Sequence, residues 1–293
     1  MTSPRTLLAS KSLHPKKQYG QNFLKDPSTA KMIVDRSRLS ADDIVLEIGA
    51  GLGALTFPAA RQARRVYAVE KDPQMAEILQ TELTTQGVDN VVVMNQDILT
   101  VDINKIRDRE IKNREDKKLI VLGNLPYNIS SQILIALLNA KQSIDRAALM
   151  FQKEVARRLA AGPGSKDYGR LSVLLQYSAD VKKLATVGAH LFLPIPKVAS
   201  EVIEIRFKRI IETPVADETL FSAVVKAAFS TRRKTLKNAL ANISTKTDAE
   251  SIKTILERTQ IDPGRRAESL SVAEFVELTN AFFAFAGGNN GAV

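Results

Sequence analysis

The sequence predicts an α/β fold: a mostly parallel sheet with helices on both faces, followed by a small all-helical C-terminal domain. Three observations carry this. Short apolar runs (Ile44-Val45-Leu46, Val66-Tyr67-Ala68-Val69, Val91-Val92-Val93-Met94 and Leu119-Ile120-Val121-Leu122) alternate with segments of helical spacing, the pattern of buried strands joined by crossover helices. Polar residues recur where successive runs end, at Glu70, Asp97 and Asn124, the edge at which open α/β sheets bind ligands. After Lys208 the strand-like runs stop and amphipathic helical spacing takes over.

Taken in order, Ile44-Val45-Leu46 leads into Gly49-Ala50-Gly51-Leu52-Gly53 and then Ala54-Leu55-Thr56, which reads as strand, tight turn and helix. Val66–Val69 is a second strand ending at Glu70. Asp72-Pro73 then opens a helix through Met75, Ile78 and Leu79, with Asp as cap and Pro in the first turn. A third strand at Val91–Met94 ends near Asp97, and a fourth at Leu119–Leu122 ends at Asn124. Further apolar stretches lie at Ala147–Phe151, Leu171–Tyr177 and Val202–Phe207. Thr213-Pro214 reads as a linker, and Leu220–Leu240 and Ser251–Arg258 as amphipathic helices. Ser271-Val272-Ala273-Glu274 has capping-box spacing ahead of Phe275, Val276 and Leu278. The expected domains are a flexible basic arm over 1–15, a sheet domain over 16–210, a helical domain over 211–285 and a flexible tail over 286–293.

Length and composition bound the function. The 293 residues suggest two domains at roughly 150 residues each, and 44% hydrophobic content is enough to build a core. No apolar stretch reaches the roughly 18 residues needed to cross a bilayer. The first fifteen residues lack a signal-peptide core, since Leu7-Leu8-Ala9 is too short. Cysteine is absent and only His14 and His190 are present, which argues against disulfides, thiol nucleophiles and a His-rich metal centre. The expectation is a cytoplasmic, monomeric protein without a metal. Its net charge of +10 favours a polyanionic partner. That charge is clustered: Arg5, Lys11, Lys16, Lys17 and Lys25 stand in a stretch with no acid, as do Lys226, Arg232, Arg233, Lys234, Lys237 and Lys246. Lys16, Lys17, Arg232, Arg233, Lys234 and Lys237 are the candidate contacts to a phosphate backbone. The run Lys105–Lys118, with alternating sign, reads as an exposed helix or loop.

Gly49-x-Gly51-x-x-Ala54, with Glu70 about 20 residues on, fits the relaxed Rossmann-like dinucleotide fingerprint. Its glycines let the backbone approach a cofactor, and a carboxylate at the second strand's end can accept from ribose hydroxyls. On its own this does not separate a nicotinamide from another adenosine-containing cofactor. Asn124-Leu125-Pro126-Tyr127 is more specific. The lone pair of an exocyclic amine on a nucleobase is delocalised into the ring, so the amine is a poor nucleophile. An amide oxygen and a neighbouring main-chain carbonyl that accept both amine hydrogens favour a pyramidal nitrogen and aim its lone pair. Pro126 fixes the loop's torsion, and Tyr127 can stack on a base taken out of its helix.

These motifs resemble those of the KsgA-type ribosomal RNA adenine dimethyltransferases. The matching stretches are Gly20-Gln21-Asn22-Phe23-Leu24, Glu47–Gly53, Asn124–Ser131, Gln152–Ala156, Tyr168–Val173, Pro196-Lys197-Val198, Arg232–Leu236, Ile261-Asp262-Pro263, Arg266-Ala267-Glu268 and Leu270-Ser271. Together they span about Gln18 to Phe282 and include the helical domain. The resemblance implies a Rossmann-like methyltransferase sheet and S-adenosylmethionine as methyl donor. It also implies dimethylation of two adjacent adenines in a hairpin near the 3′ end of small-subunit ribosomal RNA, within a pre-ribosomal particle. Transfer is expected to be direct and in line, onto a flipped base. Position by position, the resemblance places donor binding on Asn22, Leu24, Gly49, Gly51, Glu70, Asp97 and Asn124. It places the target amine at Asn124 and the Leu125 carbonyl, with Pro126 shaping the loop and the adenine between Tyr127 and Phe192. Two departures stand out: Ala50 replaces the family's usual Pro, and Ile195 and Ala199 replace the usual Pro and Asp around Pro196-Lys197-Val198. The alternatives are a large-subunit rRNA adenine methyltransferase, a non-enzymatic assembly factor and, from the glycine loop alone, a nicotinamide oxidoreductase.

Overall fold

The computed structural model describes residues 3–111, 117–231, 233–241, 243 and 248–288, without the side chain of Lys17. The described chain divides into two compact units, 1–156 with 180–207, and 157–179 with 208–293.

The first unit begins with helix α1 (Pro4–Ser10), strand β1 (Phe23–Leu24) and α2 (Pro27–Arg36). There follow β2 (Ile44–Ile48), α3 (Thr56–Ala60), β3 (Arg65–Glu70), α4 (Pro73–Thr85), β4 (Val91–Asn95), α5 (Ile103–Glu110), β5 (Leu119–Asn124), α6 (Ser130–Asn139) and β6 (Ile144–Gln152). Helices α7 (Lys153–Ala160) and α8 (Arg170–Ser178) lead to β7 (Ala179–Val187), β8 (Phe192–Leu193) and β9 (Ser200–Phe207). Seven strands form one sheet in the order β4-β3-β2-β5-β6-β9-β7. Strands β2 to β6 pair parallel with one another, and β9 pairs antiparallel with β6. The chain runs outward from β2 to β3 to β4, then returns to β5 on the other side of β2. That reversal opens a crevice at the carboxyl ends of β2 and β5.

The strands carry unbroken apolar sequence because both faces are covered: β2 is buried at every position, and β3 and β5 at all but one end residue. Helix starts follow local chemistry. The Asp72 carboxylate accepts from Gln74 N at 3.1 Å with Pro73 in the first turn, and Asp26 caps α2 through Thr29 N at 2.9 Å.

In the second unit, α8 joins α9 (Glu218–Ala228), α10 (Leu236–Leu240), α11 (Ala249–Arg258) and α12 (Val272–Gly288). Phe229 lies between Tyr168 and Phe275, with ring centroids 6.2 and 5.8 Å away. The capping box at Ser271 forms as expected: Ser271 N donates to Glu274 Oε2 at 2.7 Å, and Glu274 N to Ser271 Oγ at 3.1 Å.

Four expectations differ. The arm expected to be flexible over 1–15 holds helix α1. Its Ser3 cap accepts from Thr6 N at 3.2 Å, and Leu7 and Leu8 bury against Phe23, Leu52, Met75 and Ile78. Segment 157–179, read within the sheet domain, packs with the helical unit, and its apolar stretch Leu171–Tyr177 is helical. Leu220–Leu240 holds two helices, α9 ending at Ala228 and α10 starting at Leu236, with Phe229 and Thr235 as the caps between them. The tail expected from 286 starts inside α12, and its residues from 289 onward lie outside the described ones. No helix among the described residues is long and apolar enough to cross a membrane.

Candidate active site

Strand register brings the candidate residues together. Ile48 at the end of β2 pairs with Val69 on one side and Gly123 on the other. The next residue of each strand or its following turn, Gly49, Glu70 and Asn124, therefore emerges at the same edge. The turn after β2 is held there by Gly49 N and Ala50 N, which both donate to the Val69 carbonyl at 2.9 and 3.1 Å. Gly49 and Gly51 have φ of +70° and +54°, a region costly for residues with a Cβ. A Cβ at Gly51 would also stand 3.2 Å from the Phe23 ring.

A cavity of about 210 Å³ opens at this edge. Asn22, Leu24, Gly49, Gly51, Glu70, Asp97, Asn124, Leu125 and Pro126 all line it, so all expected donor-site residues and three of the five expected catalytic ones share one space. Glu70 is buried. Its Oε2 accepts from Gly51 N and its Oε1 from Asp72 N, both at 2.8 Å. Burial pushes its pKa up, while those backbone donors pull it down. Asp97 takes Lys71 Nζ at 2.7 Å and Leu99 N at 3.0 Å, and the lysine bond holds its carboxyl below the usual range. The Asn124 amide donates through Nδ2 to the Asn22 carbonyl at 2.7 Å. That bond orients the side chain and leaves Oδ1 as an acceptor. The Leu125 side chain is buried and its N–H is engaged by the Met150 carbonyl at 3.3 Å, so its carbonyl is the group left to act. Glycine also shapes this loop from outside, since a Cβ at Gly20 would meet Asn128 Oδ1 at 2.9 Å and Pro126 Cβ at 3.2 Å.

The remaining site residues lie elsewhere. Tyr127 is half-buried, does not line the cavity, and shares a 2.9 Å hydroxyl bond with Ser200 Oγ. Phe192, expected to stack on the target base, is instead fully buried in the apolar core with Ile33, Val34, Val187 and Val202. The cause is pairing: Phe192 and Leu193 align antiparallel with Leu24 and Phe23, which turns the ring inward. Lys16 is not a free basic residue. Its ammonium lies 3.1 Å from the buried Asp72 carboxylate and 2.6 Å from Gln74 Oε1. Arg233 and Lys234 are exposed and Lys237 is half-buried, whereas Arg232 and the Lys17 side chain lie outside the described residues.

The sequence reading missed Glu47 as an individual site residue. It lines the cavity, is 1% exposed, and accepts from Thr56 Oγ1 at 2.6 Å. Desolvation raises its pKa to about 8. A carboxylate at the end of an otherwise apolar strand, just before the glycines, was the available signal. Among the described residues, no cluster of three or more His, Asp or Glu could hold a metal ion.

Comparison with known proteins fits this geometry. The family model for ribosomal RNA adenine dimethylase matches residues 13–282. The ribosomal RNA small subunit methyltransferase A of Desulforapulum autotrophicum is 49% identical over 287 residues, covering 98% of this chain and 99% of that protein. The protein of the same name from Bacillus cereus is 42% identical over 270 residues, 91% of this chain and 90% of its own. A dimethyladenosine transferase structure from Plasmodium falciparum shares the fold, with a TM-score of 0.76 at 24% identity over 90% of this chain and 98% of its own. The 23S rRNA methyltransferase ErmE aligns with a TM-score of 0.65 at 26% identity, over 88% and 98% respectively. With a match across nearly its whole length and the glycine turn, Glu70, Asp97 and Asn124 around one cavity, this chain belongs to the ribosomal RNA adenine dimethylase family.

Proposed function

We propose that the chain dimethylates the exocyclic amino nitrogen of two adjacent adenines near the 3′ end of small-subunit ribosomal RNA, with S-adenosylmethionine as donor. The observation that carries this reading is the meeting of Asn124 and Leu125 with the donor-type residues on one cavity of about 210 Å³.

The residues present fit the donor. Glu70 keeps unused lone pairs beyond its two backbone donors and accepts from ribose hydroxyls. Asp97, held anionic by Lys71, accepts from the adenine amine of the donor. Gly49 and Gly51 allow main chain to approach where a side chain would intrude. When bound, S-adenosylmethionine supplies an electrophilic methyl on a positively charged sulfur, with a neutral thioether as leaving group.

The chain's own contribution is orientation. Asn124 Oδ1 and the Leu125 carbonyl accept the two hydrogens of the target amine. The Asn22 carbonyl fixes the Asn124 amide in the rotamer this requires, and Tyr127, pinned by Ser200, stacks on the flipped adenine. Holding reacting groups near contact distance supplies several kcal/mol of the barrier reduction. Arg233, Lys234 and Lys237 of the helical unit contact phosphates, with Arg232 beside them in sequence. The protein works as a monomer in the cytoplasm on a pre-ribosomal particle and has a part in small-subunit biogenesis.

The test is transfer of labelled methyl groups to unmethylated small and large subunits, with mapping of the product. Label on two adjacent small-subunit adenines is expected. Label on large-subunit RNA would favour the activity named for ErmE, and binding without transfer would leave an assembly factor.

A further inference from the structure

The wall of the cavity formed by residues 18–24 is not part of the seven-stranded sheet. Its β-structure is the two-residue pairing of β1 with β8. Besides the Asn22 carbonyl, which accepts from the Asn124 amide, side chains of this arm bond to the Asp72 carboxylate on the opposite wall. The Asp72 side chain is fully buried and lies two residues beyond Glu70. Lys16 Nζ donates to Asp72 Oδ1 at 3.1 Å, and Gln21 Nε2 donates to Oδ2 at 2.9 Å. Lys16 also reaches Gln74 Oε1 at 2.6 Å, and Lys16 N donates to Gln21 Oε1 at 2.7 Å, which ties the two arm residues to each other. On the other side, Asp72 N donates to Glu70 Oε1 at 2.8 Å.

An N-cap needs one carboxylate oxygen and one backbone N–H, which Gln74 N supplies. Asp72 additionally draws two side chains from residues more than fifty positions earlier, so it does more than start α4.

We infer that Lys16, Gln21 and Asp72 form a polar clamp that holds the 16–24 segment over the donor cavity, and that the clamp sets donor affinity and donor exchange rather than the methyl-transfer step. This rests on the cavity being the donor site. Two adenines with two methyl groups each require four transfers, and spent donor leaves between them. The glycine turn is bonded into the sheet through main chain, whereas at Asp72 the arm is held by side-chain bonds that water can replace. Lys16 keeps a third of its side chain exposed, so opening the clamp hydrates both ions together and leaves no unpaired buried charge. Closing it aligns Glu70 through the Asp72 backbone. Asp72, Lys16 and Gln21 are positioning residues in this scheme.

The experiment uses the full chain with Lys16→Met, Gln21→Ala and Lys16→Arg. It measures binding of S-adenosylmethionine, dissociation of S-adenosylhomocysteine, and single-turnover methylation of unmethylated small subunits at saturating donor. Loss of one charge-assisted hydrogen bond is expected to weaken donor binding and speed product dissociation about tenfold. The saturated single-turnover rate should stay at the wild-type value, and Lys16→Arg should restore much of the affinity. Unchanged donor affinity and dissociation in Lys16→Met overturns the clamp. So does a defect that appears only in RNA affinity, which would return Lys16 to phosphate binding. If the wild-type chain itself fails to bind S-adenosylmethionine, the donor-site reading fails instead, so the two failures are distinguishable.

Discussion

Glu47 makes a pH dependence that can be worked out in sign and size. Its carboxyl sits at the end of β2, 1% exposed, with a pKa raised by burial from 4.5 to about 8. Below about pH 4.5 the folded and unfolded chains both hold this proton, and the full stability is present. Between that pH and about 8 the folded chain keeps the proton while the unfolded chain releases it, so stability falls as pH rises. Each pH unit in the window costs about 1.4 kcal/mol, and the whole shift is on the order of 5 kcal/mol. For a domain of this size that is roughly 3–5 °C of melting temperature per pH unit. Glu47→Gln mimics the protonated form and removes the slope. Thermal melts of wild type and variant at about pH 5, 6, 7 and 8 should diverge, with the variant gaining steadily as pH rises. Parallel curves would mean that Glu47 is ionised in the folded state, and the reasoning from its burial would be wrong.

Other outcomes follow from the site. Asn124→Ala removes the acceptor aimed at the target amine and should lower single-turnover methylation by about 10²- to 10³-fold. Calorimetric donor binding should change far less. Phe192→Ala should destabilise the first unit by about 3–5 kcal/mol, as for other fully buried rings, whereas Phe192→Leu should remain folded and methylate at near the wild-type rate. A large activity loss in well-folded Phe192→Leu would restore a stacking role for the ring. Tyr127→Phe removes only the Ser200 bond and should retain most activity, while Tyr127→Ala removes the stacking face and should weaken target engagement by about 1–3 kcal/mol, read as the RNA concentration giving half-maximal rate.

Much of the site was legible because it depends on local chemistry at strand ends. The glycines after β2, Glu70 at the end of β3, Asp97 after β4 and Asn124 at the end of β5 each show as a polar or small residue closing an apolar run. A parallel sheet then brings those ends together without further information. What escaped depends on partners far away in sequence. Phe192 stands among Leu and Pro, a context that fits core and site alike; the resemblance put it on the base, and its alignment with Leu24 across 168 residues turns it into the core. Lys16 reads as one of a basic cluster, because Asp72, which neutralises it, lies 56 residues further on. Leu7 and Leu8 are too few to suggest a helix alone, yet Leu52, Met75 and Ile78 offer them an apolar surface. The break between α9 and α10 was hidden because the polar stretch at 230–235 still keeps helical spacing. The raised pKa of Glu47 is invisible in its residue type, since it comes from complete burial.

The central claim is that Asn124 and the Leu125 carbonyl present an adenine amine to a methyl donor held by Gly49, Glu70 and Asp97. Its most direct test is nucleotide-resolved mapping of labelled methyl groups on small subunits treated with wild-type or Asn124→Ala protein. The account predicts two adjacent dimethylated adenines near the 3′ end with wild type and almost no label with the variant. Full methylation by Asn124→Ala, or wild-type label at any other nucleotide, would contradict it.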